Sequence, residues 1–361
     1  MEEKGKKGRM DYTLLLIVVL LVVIGLVILY RTSAYIGQVK FHDSFYYLKK
    51  QAFATVLGIV LMLFVAGMDY HIWQRLAVFG YLAAVALSVA VMLFGREING
   101  SKRWLALGPF SFQPSEFAKV ALILFLADLV TKNVKTIGKM WTLCRIMFWI
   151  LPIVGLVGAS NLSTAIIILG IGVILIFVAS PKYAQFALMG IAGACFMGIF
   201  LALESYRLER LAIWRNPEKY EKGYQTLQGL YAIGSGGVFG VGIGNSVQKL
   251  GFVPEAQNDM IFSIICEELG LAGAGIIVFL FLLLIWRFFL IASGSRDLFG
   301  ALIATGAMAH MMIQVILNIA VVTNTIPNTG ITLPFISYGG TSVMFLLIEM
   351  GLVLSVSQVV D

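Results

Sequence analysis

Long apolar runs that neither break nor alternate dominate this chain, and few architectures accept them. Backbone amides and carbonyls find no water in a bilayer core, so only helices and closed barrels cross it. Barrel strands alternate their apolar residues and these runs do not, so the spans are helices. Composition agrees: of 361 residues, 60% are hydrophobic and 12% charged, too few polar groups to cover a soluble domain. Runs lie near 12–30, 51–68, 76–94, 117–131, 140–158, 162–180, 184–203, 261–286, 298–322 and 341–358. The expectation is an all-α, polytopic membrane protein with about ten transmembrane helices. It forms one domain over residues 1–361, without an internal repeat or a separate soluble part.

The N-terminal segment MEEKGKKGRMD is polar and basic. The run after it is too long for a signal peptide and lacks a small-residue cleavage site, so residues 1–11 read as a tail before an uncleaved span. An even number of spans puts both termini on one side. The basic tail, Lys132, Lys135, Lys139 and Lys182 share that side, which is expected to be cytoplasmic. Lysine and arginine divide almost evenly between the two sides, however, and the outer excess sits in loops that look like substrate sites. The net charge of +7 suits anionic headgroups and anionic substrates equally. Cys144, Cys195 and Cys266 show no metal spacing and read as small hydrophobes.

Three outer segments stand out: 95–116, a large extracytoplasmic loop over 204–260, and an uncharged Thr-, Pro- and Gly-rich stretch over 323–340. In FQPSEFAK, Pro114 starts a helix with Ser115 and Glu116 in its first turn. Glu116 and Lys119 are spaced i, i+3 and share a face. Lys119 either snorkels to the interface or lines a polar cavity, and ionisable groups inside spans favour the second. Arg207 and Arg210 could grip phosphate oxygens or pair with Glu204 or Glu209. Gly234–Gly244 would let backbone amides approach an anion, or serve only as a flexible turn. Asp259 sits between VPEAQN and the apolar IFSII. Partial desolvation there would make it a stronger base; capping the next helix is the plainer role. Glu267 or Glu268 is expected to meet a basic residue in the bundle. His310, Gln314 and Asn318, at i, i+4, i+8, form a stripe suited to interhelical hydrogen bonds. Glu349, inside the last span, needs a partner.

Together these strings resemble the SEDS family of shape, elongation, division and sporulation proteins, the RodA, FtsW and SpoVE group. The stretches carrying the likeness are NGSKRWLALGPFSFQPSEFAK (99–119), NLSTA (161–165), GYQTLQGLYAIGSGGVFGVGIGNS (223–246), LGFVPEAQNDMIFSIICEELG (250–270) and NTGITLPFISYGGTS (328–342). The resemblance runs over essentially the whole chain. It implies a peptidoglycan glycosyltransferase that polymerises lipid II by inversion at the outer face of the cytoplasmic membrane. A lipid II flippase and a non-catalytic scaffold activating a penicillin-binding protein are the competing classes. Asp259 falls on the family's essential loop aspartate and Lys119 on its cavity lysine. Arg103 and Trp104 match an RRW-like pair, Ser115 and Glu116 a serine–glutamate pair. Glu255 joins Arg207 and Arg210 as a substrate contact in the large loop. Asn161 replaces the aspartate common in the family and is assigned no catalytic or metal role. A divalent cation, Mg or Mn, would be held with the substrate diphosphate; neither an organic cofactor nor nucleic acid is implied. Implied partners are a class B penicillin-binding protein and other elongation or division proteins.

Overall fold

In a computed structural model, residues 10–98, 101–107, 110–187, 190 and 211–359 are described. Helix α1 (Tyr12–Phe41) opens on Asp11, whose carboxylate accepts the Leu14 amide at 2.8 Å, and closes on His42 in the left-handed region. Its 30 residues span about 45 Å. That exceeds a hydrocarbon core of about 30 Å, so the end of α1 bearing Lys40 and Phe41 projects beyond the membrane. The helices that follow are α2 (Tyr46–Gly67), α3 (His71–Phe94), α4 (Pro114–Asn133), α5 (Met140–Ser160), α6 (Leu162–Ala179), α7 (Tyr224–Gly236), α8 (Ile261–Gly294), α9 (Leu298–Val322) and α10 (Gly340–Ser357).

Among the described residues, eight helices are long and apolar enough to cross a membrane: α1, α2, α3, α5, α6, α8, α9 and α10. Helix α4 is too polar for that class, yet it runs through the bundle. Glu116 and Lys119 lie in its first turns, and Asp128, near its other end, accepts the Gln74 side chain at 3.0 Å and Lys132 at 2.6 Å. The expected short fourth span is therefore a helix of 20 residues, most of them buried. It tolerates charge because it faces protein rather than lipid. The seventh expected span, 184–203, falls mostly outside the described residues. At one end of the bundle the Asp11 amide donates to Ser357 Oγ at 3.1 Å, and Arg287 pairs with Asp11. The two described ends of the chain therefore share one face.

Three expectations need correction. Segment 95–116 is not a plain loop: β1 (Arg96–Ile98), β2 (Ser101–Leu107) and β3 (Phe110–Phe112) form an antiparallel sheet. Pairing the strands lets a short linker satisfy its own backbone hydrogen bonds at one end of the bundle.

The stretch 323–340 does not stay outside. Phe335 and Ile336 are buried, and a Cβ on Gly25 would lie 2.3 Å from the Phe335 carbonyl oxygen. Gly25 is about 24 Å down α1 from Phe41, so the segment re-enters the bundle. Irregular backbone survives at that depth only when protein groups satisfy it. Here Asn318 donates to the Ile331 carbonyl at 2.7 Å and Gln314 to that of Thr332 at 3.1 Å. Gln51 brackets Ser337 and Gly339 at 3.3 and 3.0 Å, and Ser337 Oγ accepts the Leu333 amide at 2.8 Å. Gly25→Ala is expected to push this segment off α1, costing about 1–3 kcal/mol; a lowered melting midpoint in detergent would show it.

The span expected over 261–286 is broken. Gly270 has a φ of 67° inside α8, splitting a short buried helix from the long crossing one. The segment after α7 docks into that break: Val241 and Gly242 donate to the carbonyls of Glu267 and Glu268, while Leu271 and Ala272 donate to those of Gly237 and Val238. Val241 and Gly242 thus spend their amides on α8 and are not available to cradle an anion.

Candidate active site

The polar stripe on α9 organises the site. Asn318 Nδ2 donates to the Asp259 carbonyl at 2.8 Å as well as to Ile331. One turn along, Gln314 Oε1 accepts Lys119 Nζ at 3.3 Å and faces His310 Nε2 at 2.8 Å. His310 Nδ1 lies 2.8 Å from Glu349 Oε2, and Lys119 Nζ lies 2.9 Å from Glu116 Oε1. Hence Glu116, Lys119, Gln314, His310 and Glu349 form one buried chain across α4, α9 and α10. Lys119 is 2% exposed and does not snorkel. The stripe makes the expected interhelical bonds, and His310 is the partner that Glu349 required.

Asp259 precedes α8 in the large loop and does not cap it, since Met260 holds that position without a side-chain cap. Its carboxylate accepts Gln225 Nε2 at 3.4 Å, an α7 contact that the sequence did not signal. Gly330 of the re-entrant segment also approaches it, with room for a Cβ 4.0 Å from Oδ2. Burial pushes the Asp259 carboxyl up to about 6, the negative Glu255 adds to this, and backbone amides and Gln225 pull the other way. Glu255 itself is an exposed non-glycine residue at φ 52°, and its Oε2 accepts the side-chain amides of Asn258 and, at 3.5 Å, Gln257.

Behind Asp259, Glu267 accepts the Ser246 hydroxyl and the Val247 amide, the latter at 3.1 Å. Glu268 pairs with Lys249 at 2.5 Å. The basic partner expected in the bundle therefore comes from the loop. These carboxylates tie the loop to the short helix that starts two residues after Asp259.

Arg103 and Ser115 line a separate narrow cleft with Ser160 and Asn161, where Arg103 Nε donates to the Ser160 carbonyl at 3.0 Å. Trp104 lies on β2, paired with Arg96 of β1. Arg207 and Arg210 lie outside the described residues. Asn161 Oδ1 caps α6 by accepting the Thr164 amide at 3.3 Å. An aspartate would cap equally and place its charge favourably at a helix N-terminus. Asn161→Asp is therefore expected to keep or raise thermal stability, by less than about 1 kcal/mol, as a melting curve would report. Among the described residues, no cluster of three or more His, Cys, Asp or Glu is placed to hold a metal ion.

Fold and site define a polytopic membrane protein whose buried carboxylate and buried lysine are organised at one end of a helix bundle. The chain belongs to the FtsW/RodA/SpoVE family, described as cell cycle proteins, whose pattern matches residues 12–361. It is 39% identical to stage V sporulation protein E of Bacillus subtilis (strain 168), over 98% of both chains. It is 35% identical to a protein of Trichlorobacter lovleyi called a probable peptidoglycan glycosyltransferase FtsW, covering 96% of this chain and 93% of that one. Among solved structures, a chain from a study of how a peptidoglycan synthase complex coordinates polymerization and crosslinking superposes with a TM-score of 0.81. That chain is 29% identical, with 96% of this chain and 97% of the other covered. The rod-shape-determining protein RodA of Thermus thermophilus gives a TM-score of 0.72 at 28% identity, covering 96% of both chains.

Proposed function

We propose that this protein is a peptidoglycan glycosyltransferase that polymerises lipid II at the outer face of the cytoplasmic membrane. The observation that carries the reading is the α9 stripe. Asp259 and Lys119, far apart in sequence, are bonded to successive turns of one helix face through Asn318 and Gln314. A base and a cation so placed match the two demands of glycosyl transfer from a lipid diphosphate.

The acceptor hydroxyl has a pKa far above neutral and needs a base. Asp259, whose carboxyl is held near 6, is ionised at neutral pH yet basic enough to take that proton. The hydroxyl oxygen attacks the anomeric carbon of the donor as its bond to the diphosphate breaks, with inversion and no covalent enzyme intermediate. Negative charge grows on the departing diphosphate, and Lys119 offsets it electrostatically; Arg207 and Arg210 are assigned the same role. Mg or Mn, where used, would be held mainly by the substrate diphosphate and would supply Lewis-acid stabilisation of the leaving group.

The chain has ten crossings in this reading. The run 184–203 is assigned one of them from its apolar sequence. With α4 and the eight apolar helices this makes ten, which fits two described ends on one face, assigned to the cytoplasm. A class B penicillin-binding protein and other elongation or division proteins are the assigned partners. Purified protein given labelled lipid II in detergent is expected to yield long glycan strands on a sizing gel. Translocation without strands in liposomes would instead identify a flippase. Strands formed only with the transpeptidase present would identify an obligate complex.

A further inference from the structure

A polymerase of this kind handles two substrates, and the network through Asn318, Gln314 and Lys119 provides for the departing diphosphate only. The acceptor sugar must also reach Asp259. Glu255, Ala256 and Gln257, the last of them two residues before Asp259, border a cavity of about 120 Å³. Its walls come from two distant parts of the chain: Ile36 and Lys40 of α1, and the loop from Lys249 to Gln257. It has room for several waters or the edge of a sugar ring.

The charges on these walls select the ligand. Lys249 is engaged by Glu268 at 2.5 Å and by the Gly244 carbonyl at 2.8 Å, so that pair is neutral. Lys40 brings one positive charge and Glu255 one negative. A diphosphate gains little from a nearly neutral wall that carries an exposed carboxylate. A neutral ring bearing hydroxyl and acetamido groups finds both a donor and an acceptor there.

Beside the cavity lies an aromatic surface. Phe41 follows Lys40 at the projecting end of α1 and stacks on Tyr46, with the edge of Tyr47 at 5.9 Å. Tyr47 in turn meets Tyr338 edge-on, with centroids 4.9 Å apart. The Tyr338 amide donates to the Gln257 carbonyl at 2.9 Å, which fastens the rings to the cavity wall. Phe41 remains 43% exposed, so one face of the cluster is open. Rings at a membrane boundary commonly serve as interfacial anchors. An anchor belt does not explain why Tyr47 is buried, or why Tyr338 is bonded to the segment that carries Asp259.

We propose that Phe41, backed by Tyr46 and Tyr47, together with Lys40 and Glu255 forms an acceptor subsite. It would hold an N-acetylated sugar of the glycan strand, its apolar face on Phe41 and its hydroxyl edge toward Asp259. The inference rests on the glycosyltransferase reading, and it divides the substrate contacts: Glu255 serves the acceptor, Lys119 the donor.

The test uses the full chain in detergent and a soluble, lipid-free tetrasaccharide of alternating N-acetylglucosamine and N-acetylmuramic acid. Binding is measured first on Asp259→Asn protein, where turnover plays no part. Adding Phe41→Ala or Lys40→Ala is expected to weaken binding at least tenfold, and Phe41→Tyr to restore it, with melting midpoints unchanged. In polymerisation assays primed with the same sugar, Phe41→Ala is expected to raise the KM for primer while leaving that for lipid II unchanged. Absence of tetrasaccharide binding, binding that Phe41→Ala leaves intact, or equal rises in both KM values would overturn the subsite. Failure of the unaltered protein to make strands, alone or with its transpeptidase, would instead overturn the polymerase reading, and the binding measurement would still report on the surface.

Discussion

Asp259→Asn is expected to abolish strand formation while making the protein more stable at neutral pH. Loss of a general base costs about 10²–10⁴-fold in rate, read as labelled lipid II converted per unit time. The stability effect follows from linkage. The folded carboxyl titrates at about 6, against 3.8 for an unperturbed aspartate. A carboxyl raised on folding contributes most below the unfolded value, and that contribution is lost as pH rises through the folded one. At pH 7.5 the ionised, buried Asp259 therefore costs roughly 3 kcal/mol, and an asparagine escapes the cost while still able to accept from Gln225. Melting curves should place the variant above its parent at pH 7.5, with the gap narrowing toward pH 5. Activity of the unaltered protein should fall below pH 6 as the base is protonated. Full polymerisation by Asp259→Asn, or a pH profile flat through 6, would remove Asp259 from the mechanism.

Lys119→Met carries the second large effect. It strips Glu116 of the ammonium 2.9 Å away and leaves a buried carboxylate without its cation, at a cost of about 3–5 kcal/mol. It also removes positive charge from the donor side, a loss of about 10²–10³-fold in rate by analogy with other preorganised electrostatic groups. The two losses separate in the double variant. Lys119→Met with Glu116→Gln is expected to regain most of the melting midpoint and none of the activity. Recovery of both would reduce Lys119 to a structural counterion.

Much of this architecture is legible in the residue string because each apolar run reports its own environment. The α1 run, the capping Asp11 and the i, i+4, i+8 spacing of His310, Gln314 and Asn318 are local patterns, and the helices follow them. The re-entrant segment left no such trace. Its Thr, Pro and Gly content reads as an outer loop, and only the donors from Gln51, Gln314 and Asn318 make its burial tolerable. The break at Gly270 was equally silent, since the apolar pattern runs straight through it. Asp259 and Lys119 stood out through family resemblance more than through spacing. The approach of Gln225 to Asp259 had no signal at all.

The sequence by itself determined that this chain lives in a bilayer as a bundle of helices, because hydrophobic burial depends on composition over a run of residues and not on distant partners. It also marked Lys119 as anomalous, since a charge inside a span is costly wherever it sits. Only the tertiary structure decided what offsets that cost, joining Lys119 to Glu116 and Gln314, and His310 to Glu349. It alone set Asp259 against Glu255, Gln225 and Asn318. Hydrogen bonds and charge pairs act over a few ångströms between segments remote in the chain, so their pairing is a property of the packed bundle.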